Sequence, residues 1–350
     1  MKILFATNSE CGGAERITLL YSKILKEKGF HSHLAVWFNK FYGFQLKPFI
    51  PEDLECELIK CPHKLLMIRL LISLWKFRPD VVFSSLSATS VGFIKLKKMG
   101  LIKAKVVVRE CNMPSRHRPQ ILQNARKYYH DADVVIGQTE EMRKEIIQYY
   151  GLKPEMVKTV YNPIDRNLIL EKLKENAGLD QQFVNYVAVG RVVPQKDFKT
   201  MLLAFAQVCK QQPKSRLYII GNYKNDSVKK ELENIIQDNN IGDRVFFEGL
   251  QDNPFKYVNE ADAFLLSSTY EGLPNAMLEA MFIGKPVVVT TSIPFISQVV
   301  KEGVNGFLVP VGDYDSFAKR MMDAPTLKIE QKFVDIMNTD NELAKLFSSL

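Results

Sequence analysis

The sequence predicts an α/β fold of two Rossmann-like domains, each a parallel sheet wound by helices. Three observations carry that expectation. Short apolar runs of β type recur at 3–6, 33–37, 81–84, 106–108 and 134–137, separated by stretches of helical period. The alternation restarts at 186–189 and continues through 217–220, 245–247, 263–266, 287–289 and 307–309. Strands alternating with helices pair in parallel through right-handed crossovers, so two such series mean two sheets. Third, the run 131–140, DADVVIGQTE, resembles 260–269, EADAFLLSST, and the two read as equivalent strands of the two halves.

Length and composition agree. A chain of 350 residues, 46% hydrophobic and 25% charged, is long enough for two globular domains. Asn162-Pro163, within Thr159-Val160-Tyr161-Asn162-Pro163-Ile164-Asp165, favours a turn that ends one strand and opens a linker. The expected division is 1–162, 163–325 and a helical segment at 326–350. Residues 1–7 read as a first strand, too short and too quickly broken for a signal peptide. No stretch reaches the roughly 18 unbroken apolar residues of a membrane span. Five cysteines, Cys11, Cys56, Cys61, Cys111 and Cys209, form no CxxC pair, which argues against a zinc site or disulfide framework and fits a reducing cytosol.

Charge is unevenly shared. Residues 1–165 carry a net +10 and residues 166–350 a net −2; within 60–127 there are 15 basic residues against Asp80 and Glu110. The first half therefore expects an anionic partner. Residues 64–77, KLLMIRLLISLWKF, place Arg69, Ser73 and Lys76 on one helical face with apolar residues over the rest. Such a segment is too short to cross a bilayer but can lie on one; it reads equally as a buried helix with a wet basic edge. Lys95, Lys97, Lys98, Lys103 and Lys105 follow, which points to an anionic membrane surface. Nucleic acid is not expected, since no recognised module or interleaved aromatic pattern accompanies the charge.

Three loop motifs suit a bound diphosphate. Gly12-Gly13 lies between the first strand and a helix, where bare backbone can approach an anion at a helix N-terminus. Alone it is as readily a tight turn. Arg191 and Lys196, five apart in Gly190-Arg191-Val192-Val193-Pro194-Gln195-Lys196, can clamp two phosphates, though such a loop is more often merely solvated. Glu271-Gly272-Leu273-Pro274-Asn275 turns into a helix that carries Glu279 about one turn inside. Most pairs of glutamates at this spacing are a loop carboxylate and a surface residue, so the setting decides.

That setting is Glu271-Gly272-Leu273-Pro274 through Glu279-Ala280-Met281, then Gly284-Lys285-Pro286-Val287-Val288 and Val304-Asn305-Gly306. It resembles the C-terminal signature of the retaining GT-B glycosyltransferases of glycosyltransferase family four, E-G-x-P-x-x-x-x-E-A-M-A-x-G-x-P-V-V, with Phe282 where alanine is usual. Gly12-Gly13-Ala14-Glu15-Arg16, the Arg191/Lys196 loop and Asn162-Pro163-Ile164-Asp165 are similar to further motifs of that family. The resemblance implies two Rossmann-like domains facing across a cleft, the first binding acceptor and the second nucleotide-sugar, with the last helix crossing back to the first. It implies that Arg191, Lys196 and the helix mouth at Gly272, Leu273, Pro274 and Asn275 hold the donor diphosphate, near Gly12 and Gly13. Glu271 then positions the donor sugar and Glu279 the ribose.

Glu110, Asn112 and Pro114 match the S-E-R-N-x-P run of bacterial members that act on surface-polysaccharide or lipid-linked acceptors, which makes Glu110 and Asn112 candidate catalytic residues beside Glu271. Arg109, Cys111 and Gln298 depart from the family pattern, and His117 is given no role. Asp131-x-Asp133 looks like a metal-binding D-x-D, but at a strand start it reads as structural, so no metal and no cofactor are expected. The implied activity is metal-independent, retaining transfer of an N-acetylhexosamine or galactose from a UDP-sugar to a saccharide acceptor, polyprenyl-diphosphate-linked, at the cytoplasmic face of the plasma membrane. A GDP-mannose-dependent mannosyltransferase, a UDP-sugar epimerase and a non-catalytic nucleotide-sugar sensor are the alternatives.

Overall fold

Strands that are apolar along their whole length cannot leave one face in water, so helices must cover both faces of the sheet they form. The computed structural model, which describes residues 1–10, 12–38, 43–223, 226–329 and 339–350, does this twice. One unit comprises Met1–Pro163 and the C-terminal helix Thr339–Ser348; the other takes in the described residues from Ile164 to 329.

The first unit holds β1 (Lys2–Asn8), β2 (His31–Trp37), β3 (Glu55–Ile59), β4 (Val81–Ser84), β5 (Lys105–Arg109), β6 (Val134–Gly137) and β7 (Val157–Thr159) in the order β3-β2-β1-β4-β5-β6-β7. The second holds β8 (Val184–Val189), β9 (Ser215–Ile220), β10 (Val245–Gly249), β11 (Ala263–Leu266), β12 (Val287–Thr290) and β13 (Gly306–Val309) in the order β10-β9-β8-β11-β12-β13. Every pairing in both sheets is parallel. Both expected strand series are present, and both sheets are of the doubly wound Rossmann type. Two edge strands were not among the expected runs. β3 reads Glu-Cys-Glu-Leu-Ile and is mostly wet, and β7 has three residues; an edge strand with one neighbour needs little apolar pattern.

The equivalence expected between 131–140 and 260–269 does not hold. β11 lies beside β8, at the place in its sheet that β4 holds beside β1, whereas β6 lies two strands further out. What the two runs share is a device. Asp262 donates its backbone N–H to the Asn185 carbonyl (2.7 Å) and accepts the Asn185 N–H on Oδ2 (2.7 Å). Asp133 makes the same reciprocal pair with Val106, and Asp80, just before β4, makes it with Lys2. An aspartate at a strand start thus closes the first rung of the ladder with the neighbouring strand, and it recurs wherever a strand begins this way. Asp133 and Asp131 also take ion pairs from Lys97 (2.5 Å) and Lys98 (3.0 Å), so the D-x-D carboxylates are engaged structurally.

The helix Leu66–Phe77 corrects a second expectation. Ser73, placed with Arg69 and Lys76 on a polar face, is buried and donates to the Arg69 carbonyl (3.2 Å). Leu66, Leu70 and Leu74 share its buried side, and the exposed side carries Ile68, Ile72 and Trp75.

Residues 330–338 of the expected C-terminal segment lie outside the described residues. The helix Thr339–Ser348 that follows inserts Leu343 and Phe347 into the core of the first unit, the Phe347 ring lying 6.5 Å from Phe5 and 6.3 Å from Phe83. Lys28 fastens its outer side through a hydrogen bond to Asn341 (2.8 Å). Emptying a fully buried aromatic site costs about 3–5 kcal/mol. Phe347→Ala should therefore lower the unfolding free energy of the first unit, read from denaturant titration, by an amount of that size; a loss under about 1 kcal/mol would mean the helix is not part of that core.

Candidate functional site

In doubly wound sheets ligands sit beyond the carboxyl ends of the strands, where the strand order reverses. In the second unit that point lies between β8 and β11. The loop leaving β8 carries Gly190, exposed Arg191 and a 3-10 turn, Pro194–Lys196. The loop leaving β11 carries Ser267, Ser268 and Glu271, all buried. The two loops are stitched together. Ser267 Oγ donates toward the carbonyls of Lys196 (2.9 Å) and Asp197 (2.8 Å), Thr269 N–H to Gln195 O (2.9 Å), and Gln195 Nε2 to Tyr270 O (3.0 Å).

Across this seam the Lys196 ammonium meets Glu271 Oε1 at 2.5 Å, and Ser268 Oγ donates to the same oxygen at 2.6 Å. Their side chains are only 18% and 7% exposed, so the pair is largely out of water and each charge depends on the other. The Lys196 stem lies over Gly190, where an added Cβ would touch it at 3.5 Å. Gly221, at φ +150, is required nearby: a side chain there would collide with the Gly190 carbonyl. Asp197, at φ +47, then caps the helix Phe198–Gln211 through Thr200 N–H (3.2 Å), which fixes where Lys196 leaves the backbone.

Gly272, Leu273 and Pro274 are buried and lead into the helix Asn275–Ile283, whose N-cap residue is Pro274 and whose first turn has no side-chain cap. Glu279 lies four residues beyond Asn275 and is half-buried. The structure therefore brings Lys196 and Glu271 into contact, sets Gly272, Leu273, Pro274 and Asn275 beside them in the chain, and leaves Arg191 exposed at the same strand ends.

The remaining candidates belong to the first unit. Gly12 is the N-cap of the helix Gly13–Glu27, and a side chain on it would collide with the Glu15 carboxylate. Cys11 lies outside the described residues. Thr18 on that helix meets Ser85 Oγ at 2.9 Å, just beyond β4, so this end of the helix is tied to the first unit's own switch point between β1 and β4. At the end of β5, Arg109 is 2% exposed and donates to Asn162 Oδ1; Asn162 donates to Gln138 Oε1 (2.9 Å), and Gln138 to the Glu110 carbonyl (2.8 Å). The arginine that departs from the family pattern thus anchors the Asn162-Pro163 turn. Burial pushes the neighbouring Cys111 thiol up to about 11, so it stays protonated at neutral pH.

His117, given no role from the sequence, lies on Glu110: its Nε2 is 2.9 Å from Oε2, and the side chains are 10% and 4% exposed. The 3-10 turn Pro114–Arg116 carries it back, pinned by Ser115 N–H and hydroxyl to the Glu145 carboxylate at 2.9 and 3.0 Å. Its place past Pro114 hid this pairing, since spacing alone does not reveal a chain reversal. Burial disfavours the charged imidazole, but the hydrogen bond and charge of Glu110, helped by the Asn112 carbonyl, outweigh it and raise the His117 pKa. Burial, and then the Glu110 charge, push Tyr129 and Tyr150 up and keep both phenols neutral.

A raised folded-state value means that the pair stabilises fully below about pH 6.5, the ordinary histidine value, and loses that stability as pH rises through the raised value. His117→Gln should lower the unfolding midpoint of the first unit more at about pH 6 than at about pH 9. An equal loss at both would show that no proton is held there.

Comparison with known proteins identifies the family and the fold. The profile of the Glycosyl transferases group 1 matches residues 170–333, and that of Glycosyltransferase Family 4 matches residues 11–168. The chain is 24% identical over 327 residues to the N-acetylgalactosamine-N,N'-diacetylbacillosaminyl-diphospho-undecaprenol 4-alpha-N-acetylgalactosaminyltransferase of Campylobacter jejuni, spanning 89% of this chain and 87% of that protein. It is 27% identical over 254 residues to an uncharacterised glycosyltransferase of Methanocaldococcus jannaschii, spanning 67% of this chain but only 60% of the relative. Among solved structures, Anabaena HepE in complex with UDP and glucose superposes with a TM-score of 0.82 at 20% identity, over 100% of both chains. With both halves matched and the fold shared, the chain belongs to glycosyltransferase family four and has the GT-B fold.

Proposed function

We propose that the protein is a retaining, metal-independent glycosyltransferase that moves an N-acetylhexosamine or galactose from a UDP-sugar to a polyprenyl-diphosphate-linked saccharide. It would work from the inner face of the plasma membrane, in surface-glycan synthesis. The observation that carries this reading is the Lys196–Glu271 pair at the switch point of the second sheet, with Arg191 at the same strand ends. Supporting it, the Campylobacter relative is named for transfer to a diphospho-undecaprenol-linked sugar, and HepE was solved with UDP.

In the proposed reaction the acceptor oxygen bonds to the anomeric carbon on the face the leaving group departs from. The C1–O bond to the diphosphate breaks with its electron pair on the phosphate oxygen, and that oxygen takes the acceptor's hydroxyl proton. Negative charge grows on the diphosphate, so the groups needed are fixed cations and N–H donors. Lys196, Arg191 and the N-terminus of the helix Asn275–Ile283 supply them, without requiring a metal. Glu271 is held by Lys196 and Ser268, which suits a carboxylate that orients the donor sugar better than a free nucleophile. Glu279 is assigned to the ribose. In the first unit, Gly12, Gly13, Glu110 and Asn112 are assigned to the phosphate and acceptor side, with His117 holding the Glu110 carboxyl in place.

Glu271→Gln separates an enzyme from a binding module. Removing one preorganised electrostatic group typically lowers kcat by 10²–10³. The variant should lose about that much turnover with its donor KM within a few-fold, and NMR of the wild-type product should show the donor's anomeric configuration. Unchanged turnover, or an inverted product, would contradict the reading.

A further inference from the structure

We propose that the exposed side of the helix Leu66–Phe77 is the face by which this protein docks on an anionic lipid bilayer. The proposal deepens the function above by naming the surface that meets the membrane, and rests on that reading only for what is done once docked.

A soluble helix normally turns its apolar side inward and its polar side to water. This one is apolar on both. Its inner side is settled by Leu66, Leu70 and Leu74, which are 7%, 2% and 3% exposed. Its outer side presents Ile68 (58% exposed), Ile72 (38%) and Trp75 (56%), preceded by Leu65 (46%). Spacings of three, four and three residues put these four along one line of the surface. The line continues past the helix: Trp75 Nε1 donates to the Leu101 carbonyl (3.2 Å), and Leu101 (37%) and Met99 (69%) are exposed on that turn.

Charge says what covers the stripe. Lys64, Arg69 and Lys76 are exposed on the same segment, Arg69 and Lys76 along one edge of the stripe. At its far end Arg78 and Lys103 line, with Trp75 and Leu101, a hollow of about 390 Å³. A line of aliphatic side chains ending in tryptophan and edged by long cations is the pattern of a helix lying in a bilayer interface. There the apolar groups enter the acyl boundary and the cations stay among anionic headgroups. A nucleic acid would use the cations but leave the isoleucines in water. A second copy, packing the same face on itself by two-fold symmetry, would set like charges against like. Among the described residues no helix is long and apolar enough to cross a membrane.

The test is cosedimentation of the full chain with phosphatidylcholine vesicles made with and without phosphatidylglycerol, alongside Trp75 fluorescence in a Trp37→Phe background. Wild type should bind the phosphatidylglycerol vesicles, weakly or not at all the neutral ones, and Trp75 emission should shift to the blue. Ile68→Ser with Ile72→Ser, and separately Arg69→Glu with Lys76→Glu, should each weaken binding by about tenfold or more while the thermal midpoint stays within a few degrees, since all four residues are exposed. Failure of wild type to bind, or equal binding by the variants, would overturn the proposal. So would a concentration-dependent dimer, abolished by the isoleucine pair, in place of vesicle binding. Transfer to a water-soluble acceptor reports on the catalytic reading alone. Vesicle binding without any transfer would support the docking face and sink the proposed function, whereas transfer without vesicle binding would do the reverse.

Discussion

A lysine and a glutamate 2.5 Å apart, both largely out of water, join the two loops that leave the second sheet at its switch point. Each charge is largely desolvated there and is offset chiefly by the other, with Ser268 as a further donor to Glu271. The pair therefore holds the loops after β8 and β11 as one body. Around it the seam of Ser267, Thr269 and Gln195 bonds satisfies the backbone that the two loops would otherwise bury unpaired. Gly221 has no side chain for a steric reason set by the same junction, since a Cβ there would run into the Gly190 carbonyl. The geometry of Arg191 and of the helix mouth at Asn275 follows from it.

The first unit ties its strand ends together by a different route. Its switch point is tied by hydroxyls, Thr18 against Ser85, and the region after β5 by a buried chain from Arg109 through Asn162 and Gln138 to the Glu110 carbonyl. That chain couples the turn that ends the unit to the loop that carries Glu110. The Glu110–His117 pair completes it, with the loop itself anchored on Glu145. Both units therefore place charged side chains at strand ends, in surroundings that fix them before any substrate arrives, which is the condition for electrostatic catalysis.

The architecture was legible because it rests on period: apolar runs of three to five residues between helical stretches are visible in one sequence, and their interruption at Asn162-Pro163 marks the break. The equivalence drawn between 131–140 and 260–269 failed because the shared aspartate serves any strand start, as Asp80 also shows. The contact of Lys196 with Glu271 joins residues 75 apart: each residue is marked by a motif of its own, but nothing in the sequence joins the two. His117 had no such motif, so its pairing with Glu110 depended on a chain reversal that spacing does not encode. On the helix Leu66–Phe77 only the place of Ser73 differs from the expectation, for a related reason. Its apolar residues cover most of the surface outside the Arg69/Lys76 edge, and only tertiary packing decides which of them are covered.

The central claim is that the second unit holds a nucleoside diphosphate on Arg191 and Lys196. Thermal unfolding of wild type and Lys196→Ala with UDP, GDP and ADP tests it most directly, because a ligand of the native state stabilises it by about 2.7 kcal/mol at a hundred times its Kd. The account predicts a rise in midpoint with UDP alone, largely lost in the variant. No rise with any of the three, or an equal rise with UDP in the variant, would contradict it.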